Sequence, residues 1–393
     1  MNIITFEEAH DIVMNSAFST GTETISYTDS FNRILAENVI SDINMPPFNK
    51  SSVDGFACRQ SDLNNELEIV ETIPAGMVPG KPIGKNQCSR IMTGAVVPSG
   101  ADCVIMVEDS ELLTSGKIIY TGSFLKENIA RKGEDVKIGE AVLKSGKVIR
   151  PQDIAVIASV GHTTVIVGKK PQVAVISTGS ELVEPAVTPD VSQIRNSNAC
   201  QLMAQVERAG GNGKYYGIAK DDEMETFLIV EKAISENDII LITGGVSMGD
   251  FDFVPSVLEK AGVRLLFTRI SIQPGKPTTF GIHRKALVFG LPGNPVSSFI
   301  IFELLVRPLI SKMMGIQWIP VSWSLPMKED FTRKFTERMA CILVRITGDG
   351  FVSPVEFHGS GHITAVPGSD GIIMIPAGVK TIEKGRLVNV RQI

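Results

Sequence analysis

Apolar and polar positions follow three different rhythms along the chain. "TFEE" places Thr5 and Glu8 as a capping box, which predicts a helix running to about Phe18. Residues 46–136 hold short apolar runs broken by Pro and Gly, without a helical period, and predict β structure. "VIRPQDIAVIASVG" (148–161) turns helical after Pro151, which suits a first turn. From Pro171 strands and helices alternate. Gln172–Ser177, Tyr215–Ile218, Asp238–Thr243 and Val263–Ile270 read as strands. Ser197–Ala209, Asp222–Ser235 and Phe253–Ala261 read as helices. Thr278–Ile282 and Ala286–Phe289 bracket a hairpin, and an apolar helix-like stretch follows from Phe299 to Ile310. Such alternation predicts a central, doubly wound, mostly parallel α/β sheet. After about Gln317 the pattern is strands and turns only ("ACILVRI", "IIMIPAG", "RLVNVRQI"), which predicts a small β domain.

Composition narrows this picture without changing it. A chain of 393 residues suggests two to four domains, and 43% apolar with 21% charged residues is ordinary for a soluble protein. A net charge of −5 argues against nucleic acid as the main partner. No run reaches the roughly 18 apolar residues of a membrane span, and the acidic N-terminus lacks a basic leader region, so no membrane partner and a cytoplasmic location are expected. The five cysteines show no C-x-x-C spacing and read as plain thiols. His358 and His362, four apart among Gly and Ser, read as a loop and not as a metal site.

Three loops share one placement. "STGSEL" (177–182), "TGGVSMGD" (243–250) and "GLPGNP" (290–295) each follow a predicted strand. Ligands of open parallel sheets bind beyond the carboxyl ends of the strands, and glycines there let backbone N–H groups approach an anion. In "GLPGNP", Pro292 and Pro295 fix φ while Gly290 and Gly293 permit unusual conformations, which predicts a stiff, preorganised loop. A tight strand–helix turn with Pro295 near the first helical position fits the same residues. Glu181, Asp221, Asp222, Asp250 and Asp252 lie near these loops, and carboxylates beside phosphate loops suit Mg²⁺. "RISIQPGKP" (269–277) supplies Arg269 and Lys276 for an anion. Outside this region, "SSVDGFA" carries Asp54 and "RKGEDV" carries Glu134 and Asp135; each alone is a turn signature.

Taken in order, these stretches resemble a known family. "MPPFNKSSVDGFA" (45–57), "RIMTGAVVP" (90–98), "RKGED" (131–135), "STGSEL", "TGGVSMGDFDFV" (243–254), "PGKPTTFG" (274–281) and "GLPGNPVS" (290–297) are similar, end to end, to the molybdopterin molybdenumtransferases, the MoeA and gephyrin E-domain family. The resemblance implies a multidomain, elongated subunit with a C-terminal β-barrel domain. The implied parts are 1–45 with 137–171 (linker and dimerisation), 46–136 (inserted, β-rich), 172–317 (molybdopterin-binding α/β, adenylyltransferase-like) and 318–393 (C-terminal β). It implies insertion of molybdate into adenylylated molybdopterin, with release of AMP and a need for Mg²⁺. It also implies a homodimer whose site includes the partner's acidic motifs, and it leaves open a contact with the molybdopterin adenylyltransferase that makes the substrate.

Matched by motif, Asp54, Asp135, Glu181, Asp221, Asp252 and Lys276 are the catalytic candidates, with Asp222 the alternative match to Asp221 and Asp250 the alternative match to Asp252. Thr93, Gly179, Gly244, Gly245, Ser247, Arg269, Pro292, Gly293, Asn294 and Pro295 are candidates for holding the pterin nucleotide. Glu181, Asp221, Asp250 and Asp252 are candidates for the metal. The chain departs from the family's pattern at Asn49 and Lys50 ("FNKS" for F-D-N-S), Ser180, Asn196 ("NSN" for D-T-N) and Gln273. The missing carboxylates motivate one alternative, a non-catalytic pterin-binding scaffold; a second is an adenylyltransferase acting on the unactivated pterin, which the accessory architecture around the central domain disfavours.

Overall fold

In the computed structural model of the chain, which describes residues 3–124, 126–220, 222–245 and 254–393, the strand Gln172–Thr178 is buried on both faces. Val173, Ala174, Val175 and Ile176 are all fully buried, as expected for the middle of a parallel sheet covered by helices. The chain forms two compact units. One comprises Met1–Thr24, Asn32–Ala36 and Ile166–Ile393; the other comprises Ile25–Phe31 and Glu37–Val165.

The central sheet of the first unit has the order Asn212–Ala219, Gln172–Thr178, Ile239–Thr243, Leu287–Leu291, Thr279–Ile282, Arg264–Phe267. The first four strands are parallel; Thr279–Ile282 runs antiparallel to Leu287–Leu291, and Arg264–Phe267 antiparallel to Thr279–Ile282. On one face Ala174, Ile176, Ile240 and Ile242 pack with Val230 and Ile234 of the helix Glu223–Glu236, and with Val257 and Leu258 of the helix Val254–Lys260. The helix Ser197–Arg208 packs on the same central strand and against the helix Pro295–Ile301. The predicted hairpin is present: Phe280 pairs with Phe289, and their rings lie 4.7 Å apart between centroids.

Register decides where the loops go. Thr178 pairs with Ala219, Ser177 with Thr243, and Thr243 with Leu291. The four parallel strands therefore end level, and the segments that follow them emerge at one edge.

Some elements differ from the sequence reading. The first helix stops at Asn15, short of Phe18; the Ser16 hydroxyl donates to the Ile12 carbonyl at the end of the helix. Its capping box is present, with the Thr5 amide donating to Glu8 at 2.8 Å. The strand expected over 263–270 covers only Arg264–Phe267, because the Ile270 amide bonds to the Lys276 carbonyl instead. The helix after "GLPGNP" begins at Pro295, widens into a π turn at Phe302–Val306, and continues as Arg307–Met313. Glu303 in that turn is buried, and its carboxylate accepts from Gln205 Nε2 (2.6 Å), Arg307 (2.8 Å) and Arg208.

The C-terminal strands Met339–Ile346, Gly371–Ile375, Leu387–Gln392 and Ser322–Pro326 form an antiparallel sheet with its own core around Met327, Val344, Ile373 and Val390. Ile272–Gln273 adds to its edge, parallel to Met339–Ile346. The second unit holds the four-stranded order Glu68–Ile73, Gln87–Ile91, Gly55–Cys58, Cys103–Met106. Successive side chains alternate between its two faces, and both faces of the central strand Gly55–Cys58 are covered. Phe56, Cys58, Cys88 and Ile105 face one core, while Ala57, Ile91 and Val104 face the other.

Candidate active site

The level strand ends bring the loop after Thr178, the loop after Thr243 and the loop after Leu291 together. A Cβ built on Gly293 would lie 3.6 Å from the Gly244 Cα, so these two loops touch backbone to backbone. Gly244 (φ +95°) and Gly245 (φ +62°) occupy the left-handed region, and a Cβ on Gly244 would meet the Thr178 carbonyl oxygen at 2.4 Å. Glycine is thus required there on two grounds. Gly293 does not occupy that region. The unusual backbone expected in "GLPGNP" is found instead in the neighbouring loop. Gly179 (φ +143°) faces its own loop's acid: a Cβ there would meet a Glu181 carboxylate oxygen at 2.5 Å.

Pro295 opens its helix at the first position, and Gly293 and Asn294 are exposed just before it. Asn294 stands at the N-cap position, yet its side chain makes no capping bond. Nδ2 donates to Ser360 Oγ at 2.8 Å, and the Val296 amide donates to the Ser360 carbonyl at 3.2 Å. The "GNP" turn is therefore braced by the C-terminal loop around Ser360, which lies between His358 and His362. Those two rings stack at 5.0 Å.

Asn198 is the second contact that motif reading passed over. Its Nδ2 donates to Thr243 Oγ1 and to the Gly293 carbonyl, each at 2.8 Å. Asn196 also has a clear role. It accepts from the Ala199 amide (3.3 Å) and from Ser177 Oγ (3.1 Å), and it donates to the Tyr215 hydroxyl at 2.8 Å. An aspartate there could not make the last donation. Tyr215 in turn donates to Glu184 at 2.8 Å, and burial followed by this bond raises its pKa.

Lys276 is exposed, on a loop packed against the same helix: a Cβ on Gly275 would meet Ile301 Cδ1 at 2.6 Å. Arg269 precedes this loop, and its carbonyl accepts from the Ile4 amide at 3.3 Å. Asp222 caps the helix Glu223–Glu236, its Oδ1 accepting from the Glu225 amide at 2.7 Å, which accounts for that acid structurally. Asp221, Ser247, Asp250 and Asp252 lie outside the described residues.

In the second unit three motifs meet. Gly94 donates to the Ser51 carbonyl at 2.8 Å, Lys50–Ser51 pairs with Ile129–Ala130, and Asn49 Oδ1 accepts from the Lys132 amide at 2.8 Å. Asp54 and Thr93 are directly bonded. One Asp54 oxygen accepts from the Thr93 amide (2.6 Å) and from Thr93 Oγ1 (2.7 Å), and these bonds hold the carboxyl below the usual carboxylate range. Asp54 sits just before Gly55, whose missing Cβ would fall 1.9 Å from the Ile105 carbonyl oxygen. The turn of "DG" is thus also a close strand contact. Asp135 is exposed beyond the Gly133 turn, its amide bonded to the Met45 carbonyl at 3.0 Å.

The chain is similar to known proteins along its whole length. Residues 4–161 match the MoeA N-terminal region (domain I and II), 174–312 match a probable molybdopterin binding domain, and 325–393 match the MoeA C-terminal region (domain IV). A molybdopterin molybdenumtransferase of Staphylococcus aureus (strain Mu50) is 36% identical over 99% of this chain and 95% of its own length. That of Staphylococcus epidermidis (strain RP62A) is 37% identical over 98% and 95%. The solved molybdopterin biosynthesis moeA protein of Pyrococcus horikoshii OT3 superposes with a TM-score of 0.87 at 30% identity, over 100% of both chains. With motifs, fold and full-length similarity in agreement, the chain belongs to the MoeA family of molybdopterin molybdenumtransferases.

Proposed function

We propose that the chain inserts molybdate into adenylylated molybdopterin, releasing AMP and forming molybdenum cofactor. The observation that carries this reading is the level ending of four parallel strands, which gathers Gly179–Glu181, Gly244–Gly245 and Pro292–Pro295 at one edge. The helix that begins at Pro295 directs its positive end at the exposed Gly293–Asn294 backbone. A pyrophosphate suits such a place, and Lys276 and Arg269 supply cations for it or for the tetrahedral molybdate dianion. The dithiolene sulfurs of the pterin are the soft ligands for molybdenum, so the protein's own thiols are not needed. The protein's task is to hold two mutually repelling anions in reacting geometry.

Mg²⁺ fits the donor type present. Glu181 turns its carboxylate back over Gly179, and Mg²⁺ takes one or two carboxylates with phosphate oxygens and water. Held by Glu181, it would supply positive charge to offset the negative charge of the phosphate oxygens. Asp221, Asp250 and Asp252 complete the proposed ligand set. In the second unit, Asp54 held by Thr93, together with Asp135, forms the proposed acidic part of the catalytic machinery. The four-part division of the chain, a homodimer and a cytoplasmic location belong to the same reading. No helix among the described residues is long and apolar enough to cross a membrane.

The test is to incubate the purified chain with adenylylated molybdopterin, MgCl₂ and molybdate. AMP release and reconstitution of a cofactor-free molybdoenzyme are expected, with loss of both when Mg²⁺ is chelated. Pterin binding without AMP release would favour the scaffold alternative, and ATP consumption on unactivated pterin would favour the adenylyltransferase. Light scattering at micromolar concentration should give a dimer; a fully active monomer would overturn that part.

A further inference from the structure

We infer that Asn198 is a positioning residue of this site, setting the distance and angle between its two glycine loops. The inference rests on the reading that those loops hold the pterin nucleotide. Asn198 lies in the first turn of the helix Ser197–Arg208, held behind the loops by the packing of that helix on the central strand. From there Nδ2 spends both of its hydrogens across the junction, one on Thr243 Oγ1, the last residue of its strand, and one on the Gly293 carbonyl. Thr243 leads directly into Gly244 and Gly245, and Gly293 lies between the two prolines. One side-chain amide thus ties the end of one strand to the turn after the next, at the place where Gly293 approaches the Gly244 Cα.

The other half of the amide shows which chemistry matters. Asn198 Oδ1 is buried and makes no hydrogen bond among the described residues. Buried polar atoms are nearly always paired, so an orphan acceptor calls for a reason. Here the reason is on the opposite atom: the side chain is held by its two donors, and the acceptor is carried along. A residue that only accepts must fail at this position, even when its shape is the same. Thr243 Oγ1 can rotate to donate, but the Gly293 carbonyl can only accept. Pairing it therefore demands a donor from position 198.

This makes Asn198→Asp a chemical test. The carboxylate offers no donor and faces the Gly293 carbonyl, whereas the protonated acid offers one O–H. Burial beside a carbonyl oxygen raises the pKa of such an acid, bringing its protonation within reach of mild acidity. At pH 8, Asn198→Asp and Asn198→Ala should each lose at least tenfold in kcat/KM for adenylylated molybdopterin. Between pH 8 and pH 6 the ratio of Asn198→Asp to wild type should rise at least threefold, while the ratio for Asn198→Ala stays flat. A merely structural role would not move with the pH in one variant and stay still in the other.

A second measurement needs no substrate. Amide hydrogen exchange over residues 290–295 should be faster in Asn198→Ala than in wild type, with the core strand Gln172–Thr178 unchanged. Unchanged exchange at 290–295, or an Asn198→Asp ratio that is flat with pH, would overturn the inference. A wild-type protein that forms no cofactor would sink the proposed function, while the exchange result would still decide the role of Asn198.

Discussion

Thr93 gives two hydrogen bonds to a single oxygen of Asp54, one from its backbone and one from its hydroxyl. The two residues are 39 apart in sequence and belong to separate motifs, "SVDGFA" and "IMTGAVVP". The pair holds the Asp54 carboxyl below the ordinary carboxylate range. A depressed folded-state pKa means that this contribution is present above the ordinary carboxylate value and is lost as pH falls through the lower folded value.

Thr93→Ala removes the hydroxyl but keeps the amide, which is the larger influence on Asp54. The Asp54 pKa should therefore rise only part of the way towards an ordinary aspartate. Turnover should fall about tenfold, which corresponds to about 1.4 kcal/mol of transition-state stabilisation. Carboxyl-carbon NMR titration, set beside AMP release, measures both. An unmoved titration with unchanged turnover would remove Thr93 from the site.

Asn49 stands where relatives of this pattern carry aspartate, and its Oδ1 accepts from the Lys132 amide. An aspartate can do the same. Asn49→Asp should leave turnover within about twofold, whereas Asn49→Ala frees the turn that presents Asp135. Loss of one such bond is worth about 1 kcal/mol, or roughly fivefold. Equal rates in the two variants would show that the turn holds without this bond.

The buried thiols predict an alkaline weakness. Burial pushes Cys88 and Cys341 up to about 12, and Cys58, which lies 3.6 Å from Cys103 between sulfurs, is also raised. A raised folded-state pKa gives stability that is complete below the unfolded value, near 8.5, and is lost as pH rises towards the folded one. The melting temperature should thus fall between pH 8 and pH 11, less steeply in a Cys88→Ala, Cys341→Ala protein. In the native protein at pH 8 a thiol reagent should reach exposed Cys200 first, and the other four should follow only on unfolding. Rapid labelling of all five would contradict this burial.

Much of this was legible in the sequence, and the reasons are physical. Residues 173–176 and 239–242 are continuous apolar runs, and such runs followed by glycine loops become central parallel strands. The convergence of the loops then followed from topology alone. Helix ends and irregularities were less legible, because the Ser16 bond and the π turn at Phe302–Val306 are local features that periodicity does not register. Asn198 and Ser360 were missed for a related reason. Their partners, Gly293 and Asn294, lie 95 and 66 residues away, and no spacing rule links such distances. The "NSN" departure drew attention to its first residue, whereas the third is the one that ties the two loops together.

The prolines of "GLPGNP" can now be tested against a defined surrounding. Pro295 begins the helix, and its fixed φ suits that position. The Pro292 carbonyl accepts from Thr243 Oγ1 at 3.4 Å, so the turn remains tethered through Thr243 and Asn198 even if its prolines are replaced. Each Pro→Ala change should then cost about 0.4–1 kcal/mol, mainly through the unfolded chain. In the Pro292→Ala, Pro295→Ala protein the melting temperature should stay within a few degrees of wild type. Function should respond more strongly. Gly293 and Asn294 are exposed between the two prolines, and without them the turn must order on binding at about 1–2 kcal/mol per residue fixed. Two such residues amount to tenfold or more in cofactor formation at limiting substrate, with the loss shrinking as substrate saturates. Thermal unfolding and molybdenum insertion measured on the same preparation separate the two contributions. A large drop in melting temperature with unchanged activity per folded molecule would return the two prolines to turn chemistry alone.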